Sequence, residues 1–249
     1  MRNPGERFRE SANARPRARY TFSMSLTSLR AAFRYRVARH LLIGPALQAW
    51  GRPAITGGGH IPRTGGVILA ANHLAISDSF YVVLAARRPV SFLAKADYFT
   101  EPGLKGRFKK VFFSGMGQIP VDRRGGSVSA PALEAATKIV EEGGAWGIHP
   151  EGTRSPDGRI YKGKTGAVRV ALATGTPIIP IALTGTDHRD RTNFHQSRVT
   201  VQVLPPLDIS DASLDDEASV RRATDRLMDV IAERTGQERV PEYAKKGGK

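Results

Sequence analysis

Short, unbroken apolar runs alternate along this chain with segments whose apolar residues recur at three- and four-residue steps, and that alternation constrains the fold more than any other feature. Val67-Ile68-Leu69-Ala70-Ala71 is apolar at five consecutive positions, which predicts a strand covered on both faces. Residues 79–86 read as a helix halted before Pro89, 90–94 as a strand, 104–113 as a helix, 118–121 as a short strand and 130–142 as a helix ended by Gly143-Gly144. Further strands are expected over 145–149, 177–183 and 199–204, with a helix over 165–173 and a last one over 213–235. The alternation predicts an α/β fold: a single domain with a central, mainly parallel sheet flanked by helices, whose working residues gather in loops after strand ends.

At 249 residues, 40% of them hydrophobic, the chain can bury a full core, which excludes disorder as a whole. Its 38 Lys and Arg against 23 Asp and Glu leave a net charge of +15, so its partners should be anionic: nucleic acid, a lipid surface or a phosphorylated substrate. The absence of cysteine excludes a disulfide scaffold, a thiol nucleophile and thiolate metal sites. No stretch approaches the roughly 18 consecutive apolar residues of a membrane span.

Four segments follow from these patterns. Residues 1–23 read as a disordered basic tail, and 24–52 as an amphipathic helical segment; 53–240 form the α/β domain and 241–249 a flexible tail. Within the second segment Leu26, Leu29, Phe33, Val37 and Leu41 share one helix face while Arg34, Arg36 and Arg39 flank it. The pattern suits an interfacial membrane helix and a core helix equally. The first 40 residues carry ten Arg against Glu6 and Glu10. Residues 1–20 lack the apolar region of a signal peptide, so the expected location is peripheral, on the cytoplasmic face of a membrane.

Three motifs follow expected strand ends. Asn72-His73-Leu74-Ala75-Ile76-Ser77-Asp78 puts a histidine and an aspartate five residues apart across a strand-to-helix junction, close enough to meet. A carboxylate on one ring nitrogen fixes the tautomer of a general base. Spacing alone equally permits Asp78 as a helix-start residue and His73 as a loop residue. Ile148-His149-Pro150-Glu151-Gly152-Thr153-Arg154-Ser155 offers a carboxylate, a hydroxyl, approachable amides and a guanidinium fork. Gly117-Gln118-Ile119-Pro120-Val121-Asp122-Arg123-Arg124 places two more guanidinium groups past a strand, within the basic stretch 95–124.

These motifs in this order, followed by Lys162-Gly163-Lys164-Thr165-Gly166-Ala167 and the Pro-flanked Pro177-Ile178-Ile179-Pro180, resemble the glycerolipid acyltransferases typified by bacterial 1-acylglycerol-3-phosphate acyltransferase, over residues 55–207. His149 stands where that family usually has an aromatic or aliphatic residue, and Ala75 where a serine is common. The resemblance implies transfer of a fatty acyl group from acyl-CoA or acyl carrier protein to the free hydroxyl of 1-acylglycerol-3-phosphate, giving phosphatidate. Relatives acylate other lysophospholipid or glycolipid acceptors as well. His73 and Asp78 would be catalytic, and Arg123, Glu151, Gly152, Thr153 and Arg154 would bind the glycerol phosphate. No metal or cofactor is implied beyond the acyl thioester co-substrate. Expected partners are the lysophospholipid, the acyl donor and an anionic membrane surface, without nucleic acid.

Two readings from other classes compete. Gly158-Arg159-Ile160-Tyr161-Lys162-Gly163-Lys164-Thr165 fits the nucleotide-binding P-loop pattern, yet a turn rather than a strand precedes it. A non-catalytic basic module binding RNA or membrane accounts for the charge, but aromatic content is only 7% and the ordered motifs would go unexplained. Ser77 is set aside as a nucleophile because no Gly-x-Ser-x-Gly elbow surrounds it.

Overall fold

The computed structural model describes residues 44–95, 103, 119–121, 130–187 and 198–245. The expected tail 1–23, the amphipathic stripe from Leu26 to Leu41, the expected helix 104–113 and Arg123 lie outside the described residues. Helix α1 (Gly44–Gly51) leads into β1 (Ala54–Thr56), then β2 (Val67–Ala71), α2 (Asp78–Ala86), β3 (Val90–Lys95) and β4 (Ile119–Val121). Next come α3 (Ala130–Glu141), β5 (Ala145–Ile148), α4 (Gly166–Thr174), β6 (Ile178–Thr184), β7 (Thr200–Val203) and α5 (Glu217–Thr235).

The seven strands form one sheet in the order β1-β7-β6-β2-β5-β3-β4. Strands β6, β2, β5, β3 and β4 run parallel; β7 lies antiparallel on β6, with β1 parallel to it. All five β2 residues are buried because the sheet is covered twice. Val67, Leu69 and Ala71 face a core shared with Tyr81, Val82 and Val83 of α2, while Ile68 and Ala70 face Ala136, Val168, Leu227 and Ile231 of α3, α4 and α5. Each such Val, Leu or Ile stabilises the fold by about 1.5–3 kcal/mol. An apolar run without alternation thus has its cause in two covered faces.

Pro180 lies inside β6, where a missing N–H would normally break a ladder. The last β6–β7 pair is Ile181 with Val203, so Pro180 stands one residue beyond it, its carbonyl accepting from the Leu204 amide at 2.9 Å. The final helix begins at Glu217, four residues later than its pattern suggests. Asp216, in extended conformation, caps it by accepting from the Ala218 amide. Past α5 the backbone stays paired: the Ile160 amide donates to the Glu238 carbonyl, Val240 to Ile160, and Lys162 to Glu242.

Candidate active site

Parallel pairing puts the carboxyl ends of β2, β5 and β6 side by side, with Ala70 opposite both Ile148 and Pro180. The loops leaving those ends carry His73 and Asp78, then His149 and Glu151, then Thr186. Candidate residues far apart in sequence therefore converge at the carboxyl ends of neighbouring strands, where open α/β sheets place ligand sites.

Asn72 opens the site. Its buried side-chain amide accepts from the Leu183 amide at 2.8 Å and donates to the Leu183 carbonyl at 2.9 Å, acting as one more rung between β2 and β6. His73 follows at once, its Nδ1 3.0 Å from Asp78 Oδ2. A carboxylate only accepts, so Nδ1 donates to it and Nε2 is the ring nitrogen outside the pair. The same Asp78 oxygen also accepts from the amides of Leu74 at 2.6 Å and Ala75 at 2.7 Å, which curl the loop into the first turn of α2. Burial pushes the Asp78 carboxyl up, but the bond from His73 and the polar groups around it outweigh burial and hold it below its ordinary value. Thr186, fully buried at the end of β6, contributes in that direction, although its hydroxyl falls short of a formed hydrogen bond. The pair is thus an ionised carboxylate behind an imidazole, with Asp78 fully buried and the His73 side chain 18% exposed.

Glu151 is placed differently from a residue that meets substrate. It is buried, and its two oxygens accept from backbone amides, Oε1 from His73 and Oε2 from Tyr161, each at 3.0 Å. The Ser155 amide in turn donates to the His73 carbonyl at 2.7 Å. Both peptide groups of His73 are therefore fastened to the turn after β5. Gly152 sits on that turn at φ +76°, with its amide donating to the His149 carbonyl, and Arg154 extends into solvent beyond the half-buried Thr153. The structure brings His73, Asp78 and Glu151 into contact and sets Gly152, Thr153 and Arg154 on the adjoining turn.

Burial raises the Glu151 carboxyl from an ordinary 4.5 to about 7, against the pull of the two amides and of Arg239. The native state then holds this proton more tightly than the unfolded chain does. The resulting stability is complete below pH 4.5 and is lost as pH rises through about 7. It amounts to about 3 kcal/mol. Denaturant unfolding at pH 5 and pH 8 should show the wild type losing about that much relative to Glu151→Gln. Parallel pH curves for the two proteins would contradict this placement of the carboxyl.

His149 is a residue the sequence showed only as a departure from the family pattern. Its ring stacks on that of His73, with centroids 3.9 Å apart and planes 8° from parallel. The signal available in the sequence was its place, at the end of a strand expected to lie in the same sheet as β2.

The P-loop reading fails on backbone hydrogen bonds. A phosphate cradle needs free amides. Here Gly158 donates to Ser155 Oγ, Arg159 to Asp157 Oδ1, Ile160 to the Glu238 carbonyl, Tyr161 to Glu151, Lys162 to the Glu242 carbonyl and Lys164 to the Pro150 carbonyl. The preceding strand, β5, ends at Ile148.

A family profile for acyltransferases matches residues 52–184, which holds His73, Asp78, His149 and Glu151. The chain belongs to the acyltransferase family. Among curated relatives, a 1-acyl-sn-glycerol-3-phosphate acyltransferase of Borreliella burgdorferi is 35% identical over 134 residues, covering 54% of this acyltransferase and 52% of the relative. One from Limnanthes alba is 30% identical over 181 residues, covering 71% and 62% of the two chains. One from Escherichia coli is 42% identical over 69 residues, covering 27% and 28%. The matched regions thus span about half to three-fifths of the first two relatives' length. In fold, the acyltransferase is similar to the crystal structure of the 1-acyl-sn-glycerophosphate acyltransferase of Thermotoga maritima, with a TM-score of 0.57 at 21% identity over 85% of this chain and 89% of that one.

Proposed function

We propose that this acyltransferase moves a fatty acyl group from an acyl thioester, acyl-CoA or acyl carrier protein, to the free hydroxyl of 1-acylglycerol-3-phosphate, giving phosphatidate. The observation that carries the reading is the His73–Asp78 pair, with Nδ1 held 3.0 Å from a buried carboxylate within the stretch the family profile matches. The names of the similar proteins support the acceptor.

The acceptor hydroxyl gives its proton to His73 Nε2 as its oxygen attacks the thioester carbonyl carbon. The tetrahedral intermediate collapses, the C–S bond breaks, and the departing sulfur takes the proton back from Nε2 as a free thiol. Asp78 stabilises the imidazolium that exists between these two transfers, and no covalent acyl-enzyme forms. Holding both reactants in line supplies much of the rate, and the clamped His73 backbone serves that purpose. Glu151 acts through that clamp. Gly152, Thr153, Arg154 and Arg123 receive the glycerol phosphate, whose doubly charged head suits guanidinium forks.

Among the described residues no helix is long and apolar enough to cross a membrane. The amphiphilic acceptor is met at the surface of an anionic membrane, on its cytoplasmic face, with the basic N-terminal region as the attracting element. Purified protein offered a panel of lysophospholipids with acyl-CoA and acyl carrier protein donors tests the reading. Lysophosphatidate should give phosphatidate by mass, with one free thiol released per product. Thioester loss with no acylated lipid, or preference for a lysolipid lacking the phosphate monoester, would overturn it.

A further inference from the structure

His149 is bonded at both ring nitrogens. Its Nδ1 lies 3.1 Å from the Ala71 carbonyl and 3.0 Å from the Asn72 carbonyl, and its Nε2 lies 3.0 Å from Ser79 Oγ. Carbonyls only accept, so Nδ1 holds the hydrogen, Nε2 is bare, and the Ser79 hydroxyl donates to it. Ala71 and Asn72 precede His73 in the chain and Ser79 follows Asp78. One ring therefore ties the beginning of the His73 loop to its end, while its face lies parallel to the His73 ring at 3.9 Å. Phe92 of β3 also packs on the His149 ring, at 5.6 Å and 23°. That packing depends on Gly147, since a Cβ there would fall 2.4 Å from the Phe92 ring.

We propose that His149 is a positioning residue for His73: a plate hydrogen-bonded across both ends of the loop, against which the reactive ring lies. The inference rests on the reading of His73 as the general base. The titratable groups facing His149 are His73 on the β2 loop and Asp78 at the start of α2; Phe92 of β3 adds none. Burial, with the proximity of His73, lowers His149 to about 3, against the opposing pull of Asp78 and the two carbonyls. It stays neutral, and the proton that moves in this site belongs to His73. A second cation parallel to the imidazolium would oppose the very charge that Asp78 stabilises, whereas a neutral ring face favours it.

The test has an arm that needs no turnover. In long-range 1H–15N spectra of the full-length protein, with the His149 signal assigned by its loss in His149→Phe, His149 should show a protonated Nδ1 and no titration between pH 5 and 9. A protonated Nε2, or a midpoint within that range, would overturn the proposal whatever the activity shows. In turnover of lysophosphatidate with acyl-CoA, His149→Ala, folded by circular dichroism, should lower kcat about 10- to 100-fold with both KM values within about threefold, because a small displacement of the base costs rate rather than binding. His149→Phe, which restores the plate without the bonds, should recover most of that loss, with a pH profile superimposable on the wild type. Wild-type kcat in His149→Ala would overturn the positioning role. Failure of His73→Ala to lose activity would instead sink the reading of His73 and leave the His149 tautomer measurement standing.

Discussion

His73→Ala should lower kcat/KM for acyl transfer by about 10²–10⁴-fold, the range that general acid–base catalysis supplies, while the thermal midpoint moves little. The side chain is only partly buried, and among the described residues its hydrogen bond is to Asp78. The loop does not depend on that ring for its course. Leu74 and Ala75 donate to Asp78 through their backbones, and the peptide groups of His73 itself are held by Glu151 and Ser155. All those bonds survive truncation at Cβ. The loss should fall on kcat with saturation by both substrates retained, and near-normal kcat in a folded variant would remove His73 from the reaction.

Asp78→Asn should cost about 10²–10³-fold, and the geometry says why it costs less than losing the histidine. In a triad where the amide can turn its NH2 toward the ring, the same substitution imposes the wrong tautomer and costs about 10⁴-fold. Here two backbone amides, from Leu74 at 2.6 Å and Ala75 at 2.7 Å, demand an oxygen at the position that also faces His73. The asparagine must therefore present its oxygen there, and the ring keeps its proton on Nδ1. What disappears is the negative charge beside the developing imidazolium. Steady-state rates measured alongside the His73 tautomer in nitrogen spectra check this, because an unaltered tautomer with a reduced kcat is the expected combination. A flipped tautomer would show that the two amides do not set the orientation.

Much of the framework was legible because its signals are local. The apolar run at Val67–Ala71 has no polar position to expose, and β2 indeed lies at the sheet centre with both faces covered. Strand and helix order led to a mainly parallel sheet, which the strand pairings show. Two features escaped. Strand β1, three residues from Ala54 to Thr56, is too short to display a period, and the antiparallel course of β7 depends on how the chain returns to the sheet rather than on the composition of the strand.

The meeting of His73 with Asp78 was legible because five residues separate them. The role of Glu151 was not. A glutamate followed by glycine, threonine and arginine looks like a solvent-facing anion site, whereas its oxygens turn inward to amides 78 and 10 residues away in sequence. Asn72 and His149 escaped for the same reason: their partners lie on β6, on the end of β2 and on α2, and only the sheet order brings these together.

The most direct test of the central claim is a double-mutant cycle on the His73–Asp78 pair. If Asp78 acts through the imidazolium of His73, removing the histidine leaves nothing for the carboxylate to stabilise, and losses from residues acting as one unit do not add. With kcat/KM measured for wild type, His73→Ala, Asp78→Asn and the double variant on lysophosphatidate and acyl-CoA, the double variant should be no slower than His73→Ala within about threefold. Losses that multiply would mean that Asp78 and His73 serve the reaction separately, and would contradict the account.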